Sequence, residues 1–180
     1  MIYVFLANGF EETEAITPID MLRRCGKEVI TVGVTGKVVA GSHNIPVVCD
    51  ITVDETVTEG LEMIILPGGM PGTKNLAANS RVAELIRFCS DKSILIGAIC
   101  AAPSVLGEMG LLEGRKAVCY PGFENALRGA EVLTVPAVRD GNIITARGAG
   151  AALEFSYELI SALIDNAAAE KLAGNIVWTK

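Results

Sequence analysis

This sequence of 180 residues contains very little histidine and no closely spaced pair of cysteines. Its one histidine is His43, and its cysteines lie far apart, with no C-x-x-C spacing. The five cysteines are Cys25, Cys49, Cys89, Cys100 and Cys119. Because zinc sites need clustered Cys and His ligands, we expect no metal site, and the unpaired thiols favour a reducing cytoplasm.

Basic clusters and membrane-spanning segments are also missing. The chain has 15 Lys and Arg residues against 21 Asp and Glu residues, which gives a net charge of −6. Proteins that bind nucleic acids cluster Lys and Arg, so we expect no nucleic-acid partner. The longest uncharged stretch, 93–107, contains Pro103 and is shorter than the roughly 20 residues that span a bilayer. The apolar start Ile2–Ala7 is too short for a signal peptide, so we also expect no membrane partner.

Apolar residues, in contrast, make up 51% of the chain, which is enough for one sizeable core and predicts a single domain over residues 1–180. Short apolar runs typical of buried strands alternate with stretches of helical periodicity. The predicted strands are Ile2–Ala7, Glu28–Val34, Met63–Leu66, Ser93–Ile99 and Ile143–Ala146. The predicted helices are Glu12–Arg24, Val82–Phe88, Pro103–Met109 and 153–164. This alternation predicts an α/β fold with a doubly wound, mostly parallel sheet and helices on both faces, whereas Val38–Ile51 and Ala117–Val138 fit only short strands and turns.

Cys100 lies between the end of the apolar run Ser93–Ile99 and a helix that begins near Pro103. Cysteine reacts as the thiolate, and a helix N-terminus lowers the pKa of a thiol from about 8.5 into the range of roughly 3.5–7.5. We therefore expect Cys100 to be the centre of chemistry and to have a lowered pKa. The plain alternative is a cysteine that only fills the core.

Three further segments, Asn8–Glu14, Pro67–Gly72 and Ala146–Ala151, follow predicted strands and are acidic or rich in glycine. The carboxyl ends of parallel strands meet at one edge of a sheet, where ligands bind, so we expect these segments to converge on Cys100. Glu11 and Glu12 are explained as ordinary acids at a helix start. Glu14 facing inward beside a thiol would have a raised pKa and could shuttle a proton. Ala146–Ala151 lacks the third glycine of a dinucleotide-binding loop, and we expect no cofactor.

Four motifs together resemble the ThiJ/PfpI superfamily, closest to its DJ-one branch. They are Glu12-Thr13-Glu14, Leu66-Pro67-Gly68-Gly69, Ala98-Ile99-Cys100-Ala101-Ala102-Pro103 and Ala146-Arg147-Gly148. The resemblance covers the chain from Met1 to about Ile164 and implies a flavodoxin-like fold and a homodimer. It also implies that Cys100 is an oxidation-prone nucleophile and that Glu14 hydrogen bonds its sulfur. The backbone N–H groups of Gly69 and Ala101, next to Gly68, would form an oxyanion hole, and Arg147 would be a structural residue near the site.

One feature of the superfamily is missing here. Many relatives place a histidine near the nucleophile, but the matching positions hold Ala101 and Tyr120. His43 falls in a loop, 41–46, that resembles a dimer-interface region, and it is explained as a solvated residue. Without a local imidazole base, a Cys-His protease is disfavoured. Tyr120 can hydrogen bond a substrate oxygen, but a phenol, whose pKa is near 10, is a poor base at neutral pH.

These residues leave two functions open. The first is a slow, cofactor-free, stress-protective enzyme of the glyoxalase or deglycase kind, which acts on a small carbonyl substrate and converts methylglyoxal to lactate. The second is a non-catalytic redox sensor or chaperone-like stress protein, in which Cys100 oxidises to sulfenic and then sulfinic acid. The missing histidine slightly favours the second function.

Overall fold

The computed structural model describes residues 1–179, which form eleven strands and six α-helices. The strands are β1 (Ile2–Leu6), β2 (Val29–Gly33), β3 (Val38–Ala40), β4 (Pro46–Val48), β5 (Ile51–Thr52), β6 (Met63–Leu66), β7 (Leu95–Ile99), β8 (Lys116–Ala117), β9 (Glu131–Val132), β10 (Ala137–Asp140) and β11 (Ile143–Ala146). The helices are α1 (Glu12–Arg24), α2 (Gly72–Ala78), α3 (Ser80–Asp91), α4 (Pro103–Glu108), α5 (Ala152–Leu163) and α6 (Asn166–Asn175).

Seven of the strands form one sheet in the order β10-β11-β7-β6-β1-β2-β5. Every neighbouring pair is parallel except β10 with β11. The central strands β1 and β6 are buried along their whole length, as continuous apolar strands covered on both faces must be. The predicted doubly wound, mostly parallel sheet is therefore confirmed. Strands β3 and β4 form a separate hairpin, and β8 pairs with β9.

Alternate side chains of each strand pack into two different apolar layers. Tyr3 and Phe5 of β1 face a layer that includes residues of α2, α3 and α4. Ile2, Val4 and Leu6 of the same strand face a layer that includes residues of α1, α5 and α6. This alternation follows from the two-residue period of a strand, and it places helices on both faces of the sheet.

Sequence periodicity located the long, strongly patterned elements and missed two helices. The bounds of α1, β6 and β11 agree with the prediction, and the Asn79 side chain caps α3 by accepting the N–H of Val82 at 3.1 Å. Helices α2 and α6 were missed because they contain few large apolar residues to set a period; their sequences are GTKNLAA and NAAAEKLAGN. Among residues 1–179, no helix has the length and apolar character needed to cross a membrane.

Candidate active site

The turn between β7 and α4 holds Cys100 in a left-handed backbone conformation, with φ at +65°. Few residues other than glycine adopt this conformation, and it is costly unless neighbouring structure fixes it. Here the Cys100 N–H donates to the carbonyl oxygen of Ala146 at 2.9 Å, and its carbonyl accepts the N–H of Tyr120 at 2.8 Å. The backbone is thus held from both sides, and the half-buried thiol projects at the carboxyl edge of the sheet.

Glu14 on the first turn of α1 is the acidic partner of Cys100. Its side chain is almost completely buried, with 1% of the residue surface exposed, and its carboxyl group hydrogen bonds to the Cys100 thiol. The Oε2 atom accepts the N–H of Gly68 at 2.9 Å, and the N–H of Ala149 also contributes. Burial raises the pKa of Glu14 to about 7, against these hydrogen bonds, which favour the charged form. The raised pKa agrees with the expectation for an inward-facing Glu14.

Two glycines after β6 allow the close packing around this pair. A Cβ atom at Gly68 would lie 2.6 Å from the Cβ of Cys100 and 2.6 Å from Oε2 of Glu14, so no larger residue fits there without a shift. Gly69 adopts a φ of +88°, which favours glycine. The backbone N–H groups of Gly69 and Ala101 hydrogen bond to the Cys100 sulfur. Two backbone donors therefore point at the thiol, where negative charge would develop during a reaction.

The prediction that Cys100 has a lowered pKa is wrong. Burial raises the pKa of the thiol to about 12, and the charge of Glu14 adds to the rise. The N–H groups of Gly69 and Ala101 lower it, but less than burial raises it. Helix α4, with six residues, contributes only a short stack of peptide dipoles. The sequence showed that the thiol lies near a helix start, but it did not reveal how deeply the thiol is buried, and burial decides its pKa.

The remaining cysteines differ from Cys100 in their surroundings. Cys49, Cys89 and Cys119 are buried, and burial raises the pKa of each thiol, to about 11, about 12 and about 11 respectively. Cys25 is half-buried, and burial raises its pKa as well. None of these four residues is joined to a buried carboxyl group as Cys100 is joined to Glu14.

Tyr120 follows Cys119 and lines an open cavity of about 500 Å³. The residue is half exposed, and its ring packs against Gly148, where a Cβ atom would meet the ring at 3.2 Å. Gly148 also lies close to the Glu14 carboxyl group, so it separates the cavity from the pair. Arg147 lines the same cavity, and its guanidinium group donates to the carbonyl oxygen of Thr134 at 3.2 Å.

His43 is bound elsewhere, and this contact changes the interpretation of Glu12. The His43 ring lies 2.9 Å from Glu12 through Nδ1 and Oε2, while the residue stays mostly exposed. Glu12, expected to be an ordinary helix-start acid, is instead 8% exposed and is held by the loop around His43. Burial opposes ionisation of Glu12, but its hydrogen bonds with His43 and the neighbouring backbone lower its pKa to about 2. Nothing in the sequence signalled this contact, because it joins segments distant along the chain.

The mostly parallel sheet with helices on both faces defines a flavodoxin-like protein. Its candidate nucleophile is a cysteine that lies at a strand-to-helix turn beside a buried carboxyl group. The chain belongs to the DJ-1/PfpI family, whose model matches residues 1–162.

Several known proteins are similar over most of the chain. Protein dj-1beta of Drosophila melanogaster is 35% identical over 174 residues, which cover 95% of this chain and 88% of that protein. Deglycase PfpI of Pyrococcus furiosus is 30% identical over 159 residues, covering 87% and 95% respectively. The solved structure of oxidized Toxoplasma gondii DJ-1 has a TM-score of 0.95 at 32% identity and covers 99% of this chain and 98% of that one. Protein DJ-1 homolog B of Arabidopsis thaliana is 35% identical but longer, and the chain spans 40% of its length.

Proposed function

We propose that this protein is a cofactor-free, cysteine-dependent enzyme that acts on small reactive carbonyl compounds and protects the cytoplasm from them. The observation that carries this proposal is the hydrogen bond between the Cys100 thiol and the buried Glu14 carboxyl group. A base with a pKa of about 7 is well matched to proton transfer at neutral pH. A relative that is 30% identical is named a deglycase, which supports carbonyl chemistry for this chain.

In the first step, the Cys100 thiol transfers its proton to the Glu14 carboxylate while the sulfur adds to the aldehyde carbon of methylglyoxal. A C–S bond forms, and the π electrons of the carbonyl group move to its oxygen. The N–H groups of Gly69 and Ala101, which face the sulfur, would stabilise that oxygen. Glu14 then returns the proton to the oxygen, which leaves a hemithioacetal and an ionised carboxylate. Because the thiol is deprotonated during the attack, its high pKa in the resting protein is compatible with this step.

In the second step, Glu14 removes the hydrogen on the carbon bonded to sulfur and delivers a proton to the adjacent carbon. The electron pair of the broken C–H bond forms an enediolate, and the hydroxyl proton of the hemithioacetal passes to the oxygen of the adjacent carbon, so that a thioester of lactate results. Water then cleaves the C–S bond, releases lactate and restores the Cys100 thiol. The sum is methylglyoxal plus water to lactate plus a proton, with no external oxidant or reductant.

A second candidate function is redox sensing through Cys100. It is favoured by the same two backbone donors, which can hydrogen bond the oxygens of a sulfinate, and by the solved structure of an oxidized relative. A protonated Glu14 would donate to such a sulfinate. The raised pKa of the thiol argues against fast oxidation at neutral pH, because the thiolate is the form that peroxide oxidises. We therefore rank it second.

The experiment that tests the first function measures lactate formation from methylglyoxal by wild type and by Cys100→Ser. We expect lactate from wild type only. Cys119→Ser serves as the matched control, because Cys119 is a buried thiol on the neighbouring segment, and it should keep turnover. No lactate from wild type, together with selective oxidation of Cys100 by peroxide in peptide mass spectra, would favour the redox function.

We also propose that the protein is a homodimer. The hairpin strands β3 and β4 pair Val38 with Val48, and both residues remain exposed, as do Ile16 and Ile45. Apolar surface of this kind is commonly buried between protein chains. Light scattering after size-exclusion chromatography should give twice the mass of one chain, and the mass of a single chain would contradict the proposal.

A further inference from the structure

A second polar cluster lies at the start of α1, formed by Glu11, Glu12, Ser42 and His43. The Nδ1 atom of His43 lies 2.9 Å from Oε2 of Glu12 and 3.6 Å from Oε2 of Glu11. The Ser42 hydroxyl is 3.0 Å from the Glu11 oxygen, 3.2 Å from the Glu12 oxygen and 3.1 Å from the His43 nitrogen. The three ligand atoms of Glu11, Glu12 and His43 all lie within 4.8 Å of one another.

We propose that Glu11, Glu12 and His43 bind a divalent cation of the Zn²⁺ type, a site that the proposed carbonyl chemistry does not use. Zinc bonds nitrogen and carboxylate oxygen at about 2.0–2.2 Å, so ligand atoms of a tetrahedral site lie about 3.3–3.6 Å apart. The two distances from His43 to the glutamates, 2.9 and 3.6 Å, are close to these values. Small movements of the side chains would therefore admit the ion, and water would supply the fourth ligand.

The position of Glu12 is fixed independently of any ion. Its Oε1 atom accepts the N–H of His43 at 2.8 Å, so Oε2 is left to point into the cluster. A Cβ atom at Gly41 would lie 2.2 Å from Oε1, which shows that the loop is shaped closely around this carboxyl group. The loop is tied to the β1–α1 connection by the Ser42 N–H, which donates to the carbonyl oxygen of Phe10 at 2.7 Å. Ligands held in this way by surrounding hydrogen bonds lose little freedom when a metal binds.

The chemistry of the donors selects the kind of cation. Two carboxylates and one neutral imidazole give the site a charge of −2, which suits a dication. Imidazole is a good ligand for Zn²⁺ and neighbouring transition metals, whereas Mg²⁺ and Ca²⁺ prefer sites made only of oxygen atoms. The Ser42 hydroxyl is placed to hydrogen bond the carboxylates and hold their orientation.

The test is calorimetric titration of the full chain with Zn²⁺, compared with Mg²⁺. We expect one Zn²⁺ per chain, no detectable binding of Mg²⁺, and at least a tenfold loss of Zn²⁺ affinity in both His43→Gln and Glu11→Gln. His43→Gln carries the most weight, because its side chain is mostly exposed and the replacement does not disturb the core; circular dichroism checks the fold. Glu108→Gln, an exposed acid at the end of α4, is the matched control and should bind normally.

Thiols also bind zinc, so Cys100→Ser separates the two regions of the molecule. Binding that survives in Cys100→Ser and weakens in His43→Gln supports the proposed site. Binding that is lost in Cys100→Ser and unchanged in His43→Gln would assign the ion to the thiol and overturn the proposal. No binding at millimolar Zn²⁺ would also overturn it, and the cluster would then be a hydrogen-bonded clamp between the loop and α1. Because this experiment measures only Zn²⁺ affinity, a negative result would not bear on the proposed carbonyl activity, which is tested by lactate formation.

Discussion

The carboxyl group of Glu14 hydrogen bonds to the thiol of Cys100, although Glu14 lies on the first turn of α1 and Cys100 in the turn between β7 and α4. Glu14 is fixed by the N–H of Gly68, and Cys100 is fixed by contacts to the backbone of Ala146 and Tyr120. The pair is thus positioned by four segments that meet at the carboxyl edge of the parallel sheet. Burial raises the pKa of both groups, so the thiol is protonated and the carboxyl group only partly ionised at neutral pH. A proton can therefore pass between them.

Replacement of Glu14 by Gln is expected to speed alkylation of Cys100 by iodoacetamide. Alkylation follows the thiolate fraction, and the Glu14 charge is one cause of the raised pKa of Cys100. The rate at pH 8, where Glu14 is mostly ionised in wild type, is read from the mass of the peptide that contains Cys100. The buried Cys89 is an internal control and should react slowly in both proteins. Slower alkylation in Glu14→Gln would show that the charge of Glu14 does not raise the pKa of the resting Cys100 thiol.

Glu14 should also make the free energy of unfolding depend on pH. Its pKa is about 7 in the folded protein, against 4.5 for an exposed glutamate. Between these values the folded state holds a proton that the unfolded state has lost, so stability falls as pH rises. Wild type is expected to lose about 3 kcal/mol relative to Glu14→Gln from pH 4.5 to above pH 7. Urea unfolding of both proteins across this range measures the difference, and parallel curves would contradict the raised pKa.

Gly68→Ala should damage the site and the stability together. The added Cβ atom would lie 2.6 Å from both Cys100 and Glu14, so one of them must move. Overpacking of this kind costs about 1–3 kcal/mol, and the displaced pair should lose most of its turnover. Gly174→Ala is the matched control, because a Cβ atom there meets nothing within 4 Å and the position is helical. It should leave turnover unchanged and stabilise by up to about 1 kcal/mol. A Gly68→Ala protein with normal turnover would refute the tight packing.

Tyr120→His introduces an imidazole beside the candidate nucleophile. The N–H of residue 120 donates to the carbonyl oxygen of Cys100, so the new side chain starts next to the nucleophile. An imidazole with a pKa near 6.5 is a better base at neutral pH than a phenol, so kcat/KM for methylglyoxal should rise. Tyr120→Phe controls for loss of the hydroxyl group and should not show this rise. Equal rates for the two variants would mean that the absence of histidine does not limit the enzyme.

The sequence predicted the sheet, the helices on its two faces and the convergence of segments 8–14, 67–72 and 146–151 on Cys100, because apolar periodicity and sheet topology determine these features. The backbone donors Gly69 and Ala101 were implied only by the family resemblance. Prediction from the sequence failed where burial and long-range contacts decide the outcome. The pKa of Cys100 depends on how deeply the thiol lies, which no local pattern reveals. The burial of Glu12 depends equally on the loop around His43, and the two segments are 31 residues apart.

The most direct test of Glu14 as the base for Cys100 is the pH dependence of lactate formation by wild type and Glu14→Gln. General base catalysis contributes about 10²–10⁴-fold, so Glu14→Gln should lose turnover by a factor in that range. The wild-type rate should rise as pH passes about 7, where Glu14 ionises, while the residual rate of the variant should show no such step. Full turnover in Glu14→Gln, with the same pH profile as wild type, would contradict the proposed proton transfer.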